Sequence, residues 1–237
     1  GSFDSEGTTT RGFPQALIDL DAALTYINTQ PGFSGLPILL FGHSWGGYAV
    51  ANILHYDHEI AGVATVSGVN HPMGIILEQG QRMMGSFVNV QYPFLWLYQR
   101  ILFGRAASLS AVDGINQSNV PVLIVHGTED ESVAYEGSSI MAHIEAITNP
   151  RVKTLSISEP QRNGHNSLFR SWAAVDYIDQ INALYRELFD RYKENIPYEV
   201  RQDFYAEVDR GLVQDLNRDL MDAIQAFFLE CLNPPLL

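Results

Sequence analysis

Apolar residues are grouped along this chain in two ways. Short apolar runs stand at Leu36–Phe41, Ile60–Val66 and Val120–Val125, and Val152–Ile157 is a fourth strand candidate. Each is the length of one strand, and an unbroken apolar run of that length fits a strand covered on both faces. Between them the spacing changes to threes and fours. Leu17, Leu20, Leu24 and Ile27 predict a helix over 13–28, and Pro14 is tolerated in its first turn. A helix over 48–54 follows the first strand, and Ser138–Ile147 reads as another helix. From Ser171 onward the pattern is helical throughout, with stripes led by Trp172, Val200 and Leu220. Strands alternating with helices predict an α/β fold, a mostly parallel sheet with helices on both faces. Such a sheet carries its site at the carboxyl ends of the strands.

Residues 71–118 break the alternation. They hold Met73, Met83, Met84, Phe87, Phe94 and Trp96, with breaks expected near Gly80, Gly85, Pro93 and Gly104. We expect a helical cap here. Either its apolar side chains simply pack, with Met filling gaps, or they form an acyl pocket. The expected organisation is a core over 1–190, the cap inserted at 71–118, and a helical extension over 191–237.

The first strand ends in Gly42-His43-Ser44-Trp45-Gly46-Gly47. A serine on so tight a strand-to-helix turn takes a strained backbone and presents its hydroxyl in the open. Side chains at Gly42 and Gly46 are expected to collide there. A serine needs a base in hydrogen-bond reach, and the base needs an orienting carboxylate. Ser44, Asp130 and His165 each follow a predicted strand, in that order. Glu129 and Asp113 are rivals for the acid, and His126 for the base. His126 reads instead as a packed strand-end residue, and His55, His58 and His143 as solvated helix residues.

The elbow, the segment His126-Gly127-Thr128-Glu129-Asp130 and the segment Gly164-His165-Asn166 together resemble the α/β-hydrolase superfamily. Gly47-Tyr48 after the elbow is similar to the branch holding prolyl-oligopeptidase-like hydrolases and bacterial esterases. Residues 1–7 resemble the glycine-serine loop after that fold's fourth strand. The resemblance implies Ser44 as nucleophile, His165 as general base and then acid, Asp130 as its orienting partner, and the Trp45 backbone N–H as an oxyanion donor. His43, His71, Met73, Met83 and Phe87 are the candidate substrate contacts.

If Leu36–Phe41 is the family's fifth strand, strands 1–4 are absent, and so is the loop with the second oxyanion donor. The expectation is a portion of a larger hydrolase, prone to aggregation through an open sheet edge. Losing that donor should cost on the order of 10²–10³ in kcat. An N-terminal portion of the same protein is then an expected partner. The chain starts at Gly1, and Gly-Ser is also a common scar of tag removal.

Composition narrows the partners. The 237 residues carry 27 acidic and 14 basic side chains, a net charge of −13, which argues against nucleic acid or an anionic membrane surface as partner. No run is long enough to span a membrane. One cysteine, Cys231, allows no internal disulfide and no thiolate metal cluster. No metal or cofactor is expected, and cytoplasmic location is the default. The leading function is ester hydrolysis through an acyl-enzyme on a small-molecule ester. A peptidase or amidase acting on a short peptide, and a non-catalytic hydrolase-fold binding protein, are the alternatives.

Overall fold

The computed structural model describes Glu6, residues 9–193 and residues 195–233. The glycine-serine loop expected at residues 1–7 lies, but for Glu6, outside the described residues. After α1 (Gln15–Thr29), the chain forms β1 (Ile38–His43), α2 (Trp45–Asn52) and β2 (Ile60–Val66). The cap helices α3 (Pro72–Met84) and α4 (Val88–Phe103) come next, then α5 (Ala111–Gln117) and β3 (Val122–Gly127). β4 (Val152–Ile157) precedes α6 (Trp172–Tyr192), α7 (Tyr198–Ala206), α8 (Arg210–Val213) and α9 (Arg218–Leu232).

Among the described residues the sheet has four parallel strands in the order β1-β2-β3-β4. Alternation along each strand divides the core. Val63, Val122 and Ile124 face one way, into a cluster with α1, α2 and α5 side chains such as Leu17, Ala51 and Ile115. Ala64, Val66, Leu123 and Val125 face the other way, against Leu220, Ile224 and Phe227 of α9. β2 and β3 are therefore covered on both faces, which is why they read as apolar runs, whereas β4 leaves Lys153, Thr154 and Ser156 exposed. The α9 helix comes so close that Cys231 Sγ occupies the space over Gly62 in β2, 2.7 Å from where a β-carbon would stand.

Some local expectations are corrected. Gly80 does not break α3; Val88 packs directly over it, so the missing side chain lets α3 and α4 meet. Pro93 lies inside α4, whose break comes instead at Gly104 (φ +53°). The helix expected over Ser138–Ile147 is only a 3₁₀ segment, Met141–Ala146, kinked at His143. Neither His55 nor His58 is a solvated helix residue. The Nε2 of His55 meets Ser110 O at 2.8 Å, and His58 is a largely buried ring 2.7 Å from the Asp21 carboxylate.

Candidate active site

Three strand ends build the site. At the end of β1 the chain turns into α2 through Ser44, at φ 56° and ψ −113°. For a non-glycine residue that is a strained backbone. It persists because both sides are fixed: the Ser44 N–H donates to Val66 O (2.8 Å), and Ser44 O accepts from the Tyr48 N–H (3.0 Å). The crowding differs from expectation. A β-carbon at Gly42 would stand 2.3 Å from Gly46 O, but Gly46 itself faces open space. The second crowded position is Gly47, whose β-carbon would meet Gly68 Cα at 2.9 Å and Thr65 Oγ1 at 3.0 Å.

Asp130 follows β3, and His165 lies in the loop after β4. The two loops are stitched together: the Glu129 N–H donates to Asn163 O (3.0 Å), and the Asn163 side-chain amide donates to Thr128 Oγ1 (3.1 Å). The structure brings all three residues into one line. Ser44 Oγ lies 2.9 Å from His165 Nε2, and His165 Nδ1 lies 2.8 and 2.9 Å from the two Asp130 oxygens. With Nδ1–H donating to a carboxylate, Nε2 is left as the acceptor for the serine hydroxyl.

Asp130 is buried, and burial alone would raise its pKa. Hydrogen bonds from His126, from His165 and from the Val133 N–H outweigh that, and hold the carboxyl well below the usual range. The Ser132 N–H donates to the same Oδ1 as Val133, at 2.9 and 2.7 Å. The carboxylate is thus charged and fixed.

The rival residues fall elsewhere. Asp113 lies in the first turn of α5, its carboxylate accepting from the hydroxyl of Ser110, the residue that caps the helix, at 2.8 Å. His126 is packed at the strand end, fully buried. Its contact with the acid was not read from the sequence: Nε2 lies 2.9 Å from Val133 O and 3.3 Å from Asp130 Oδ2. Glu131 is a second residue missed, accepting the His165 backbone N–H at 2.9 Å. Its place next to Asp130 was the only available signal.

The substrate candidates scatter. His43 reaches the site but is engaged with His165: its Nε2 meets His165 O at 3.0 Å, and the two rings lie 4.7 Å apart. Burial, and then the neighbouring His165, lower its pKa and favour the neutral form. His71 caps α3 by accepting the Met73 N–H at 3.0 Å and lines a cavity with Gly74, Ser138 and His143; burial lowers its pKa too. Met73 is buried, whereas Met83 is 83% and Phe87 55% exposed on the outer surface of the cap. The Trp45 N–H opens α2, where first-turn amides have no intrahelical partner. The Trp45 indole donates to Phe13 O at 2.6 Å.

One further network ties the cap to the acid. Glu78 of α3 accepts the N–H groups of Ala134 (3.0 Å) and Ser138 (2.8 Å) and pairs with Arg82 (2.8 Å). Arg82 also donates to Glu131 O, and the Gln79 amide donates to Ser132 O at 2.6 Å. The loop that carries Asp130 is therefore held from the α3 side.

Among solved structures the chain is similar to an esterase of Pyrococcus furiosus, at 19% identity and a TM-score of 0.48, covering 79% of this chain and 66% of that one. It is also similar to the esterase domain from a Rhodothermus marinus protein (21%, TM-score 0.40, 64% of this chain and 61% of that one). A third is a Pyrococcus horikoshii acylaminoacyl peptidase (16%, TM-score 0.45, 77% and 28%). The chain thus spans no more than about two thirds of any of the three. No curated protein matches its sequence. The family model of the prolyl oligopeptidase family matches residues 15–171, from the start of α1 to the foot of α6, and takes in all three site loops. By that match, over well more than half of its length, the chain belongs to the prolyl oligopeptidase family.

Proposed function

We infer that the chain hydrolyses carboxylic esters through an acyl-enzyme on Ser44. The observation that carries this reading is the unbroken line from Ser44 Oγ through His165 to Asp130, with both hydrogen-bond steps at 2.8–2.9 Å. His165 Nε2 takes the hydroxyl proton as Oγ bonds to the acyl carbon. The carbonyl oxygen becomes an oxyanion, for which the Trp45 N–H is a donor. When the tetrahedral intermediate collapses, the proton on His165 passes to the departing alcohol. Water then bonds to the acyl carbon, giving its proton to His165, and the second collapse breaks the bond to Ser44 Oγ, which takes the proton back from His165 as the acid leaves. Asp130 keeps Nδ1 protonated and stabilises the imidazolium without itself being protonated.

Fluorophosphonate labelling followed by peptide mass spectrometry tests the nucleophile. A folded protein left unlabelled at Ser44 sinks the reading. The family match supports a second reading, hydrolysis of a short peptide or aminoacyl amide by the same three residues. Comparing turnover of p-nitrophenyl esters with that of aminoacyl amides separates the two.

A further inference from the structure

Two neighbouring carboxylates grip one histidine. Asp130 takes the ring: its oxygens lie 2.8 and 2.9 Å from His165 Nδ1. Glu131, the next residue, takes the backbone: its Oε2 accepts the His165 N–H at 2.9 Å. The local fold sets this up. Asp130 Oδ1 accepts the N–H groups of Ser132 and Val133, which closes residues 130–133 into a tight turn with Glu131 at its second position. Arg82 of α3 donates to Glu131 O and so fixes the main chain of the same residue. On the receiving side Gly164 leaves the room. A β-carbon there would stand 2.9 Å from Glu131 Oε2, so a larger residue would crowd the carboxylate off the peptide.

The main chain of His165 is held at its carbonyl as well, where the His43 ring donates to His165 O at 3.0 Å. An imidazole is joined to its backbone through only two side-chain torsions. Pinning the N–H and the C=O therefore limits where Nε2 can reach. It has to stand 2.9 Å from Ser44 Oγ while Nδ1 keeps its place on Asp130. A misplacement of about 1 Å at a reacting group can cost on the order of 10²-fold in rate. Glu131 is exposed, so its side chain adds little to the packing of the core. We infer that Glu131 is a positioning residue for the reaction: it holds the His165 backbone so that one imidazole spans Ser44 and Asp130 at once. The inference deepens the hydrolytic reading and rests on it.

Ester kinetics and proton NMR on the whole chain test this together. Glu131→Ala should lower kcat about ten-fold or more with KM near that of the parent. Glu131→Gln keeps an acceptor at the same reach and should recover most of the rate. Glu136→Ala removes another exposed carboxylate from the same loop and should change nothing. The proton on His165 Nδ1, assigned by its loss in His165→Ala, should exchange slowly in the parent and in Glu131→Gln, and fast in Glu131→Ala. Melting curves check folding. If Glu131→Ala does not fold, Glu131→Asp takes its place, with the charge kept and the reach shortened by one carbon. A parent left unlabelled by a fluorophosphonate removes the hydrolytic reading, and the Nδ1 proton then decides alone whether Glu131 holds His165. An Ala variant with the parent's kcat and Nδ1 signal overturns the proposal. So does equal impairment of the Ala and Gln variants, because the acceptor would then not be what matters.

Discussion

His126 and His165 approach the same carboxylate from different sides. His165 Nδ1 lies 2.8 Å from Asp130 Oδ2, and His126 Nε2 lies 3.3 Å from that same oxygen. Only His165 continues to the serine. His126 Nε2 also meets Val133 O, so it carries the proton, and the buried Nδ1 has no partner.

Replacing His126 with Phe should therefore loosen Asp130 without touching Ser44. Removing one donor from a buried carboxylate should lower stability by about 1–3 kcal/mol. Fluorophosphonate labelling of Ser44 should slow, while KM for an ester stays near its original value. Urea denaturation and labelling kinetics read the two effects. An unchanged labelling rate would remove His126 from any role at the site.

Stability should fall on the acid side because of Asp130. Its folded-state pKa is depressed, whereas an unfolded carboxyl titrates near about 3.9. Above that value both states are ionised, and the contribution is fully present. Below about pH 5 the unfolded chain begins to take up the proton first, so stability drops, and keeps dropping toward the folded pKa. Asp130→Asn should flatten this part of the curve in melts taken from neutral pH to pH 3.

Ser44→Gly separates strain from chemistry. Glycine adopts φ 56° without the steric penalty. The variant should gain on the order of 1–3 kcal/mol from the relieved backbone. It should also lose all labelling. A variant less stable than the parent would show that the turn is not strained in the folded chain.

Glu78→Ala tests the tie between cap and acid. It leaves the Ala134 and Ser138 amides without their acceptor and frees Arg82. We expect a loss of about 1–3 kcal/mol, and faster amide exchange across 131–138 than across β3. Equal protection in both segments would sink the idea that α3 holds this loop.

The sheet and the three site loops were readable because each needs only local information. An apolar run cut short by small residues marks a strand end, and Ser44 and Asp130 stand just past one, while His165 lies farther on in the loop after β4. The crowding at Gly47 was not readable, since it comes from Thr65 and Gly68 of another element. The same holds for Glu78, whose partners lie 56 and 60 residues away. The periodicity of α4 gives a stripe but not its direction. Which face turns outward is decided by how α3 and α4 pack on each other, and in the same way Met83 of α3 and Phe87 of the turn before α4 could be read as pocket residues and yet lie at the surface.

Cys231 sits where α9 closes over Gly62, and burial pushes its thiol pKa up. The chain has no other cysteine. It therefore carries a single-site chemical clock: a thiol that reacts slowly while the helix is seated and fast once it lifts. The alkylation rate against that of the unfolded chain would give the free energy of opening α9 alone, with no label to engineer.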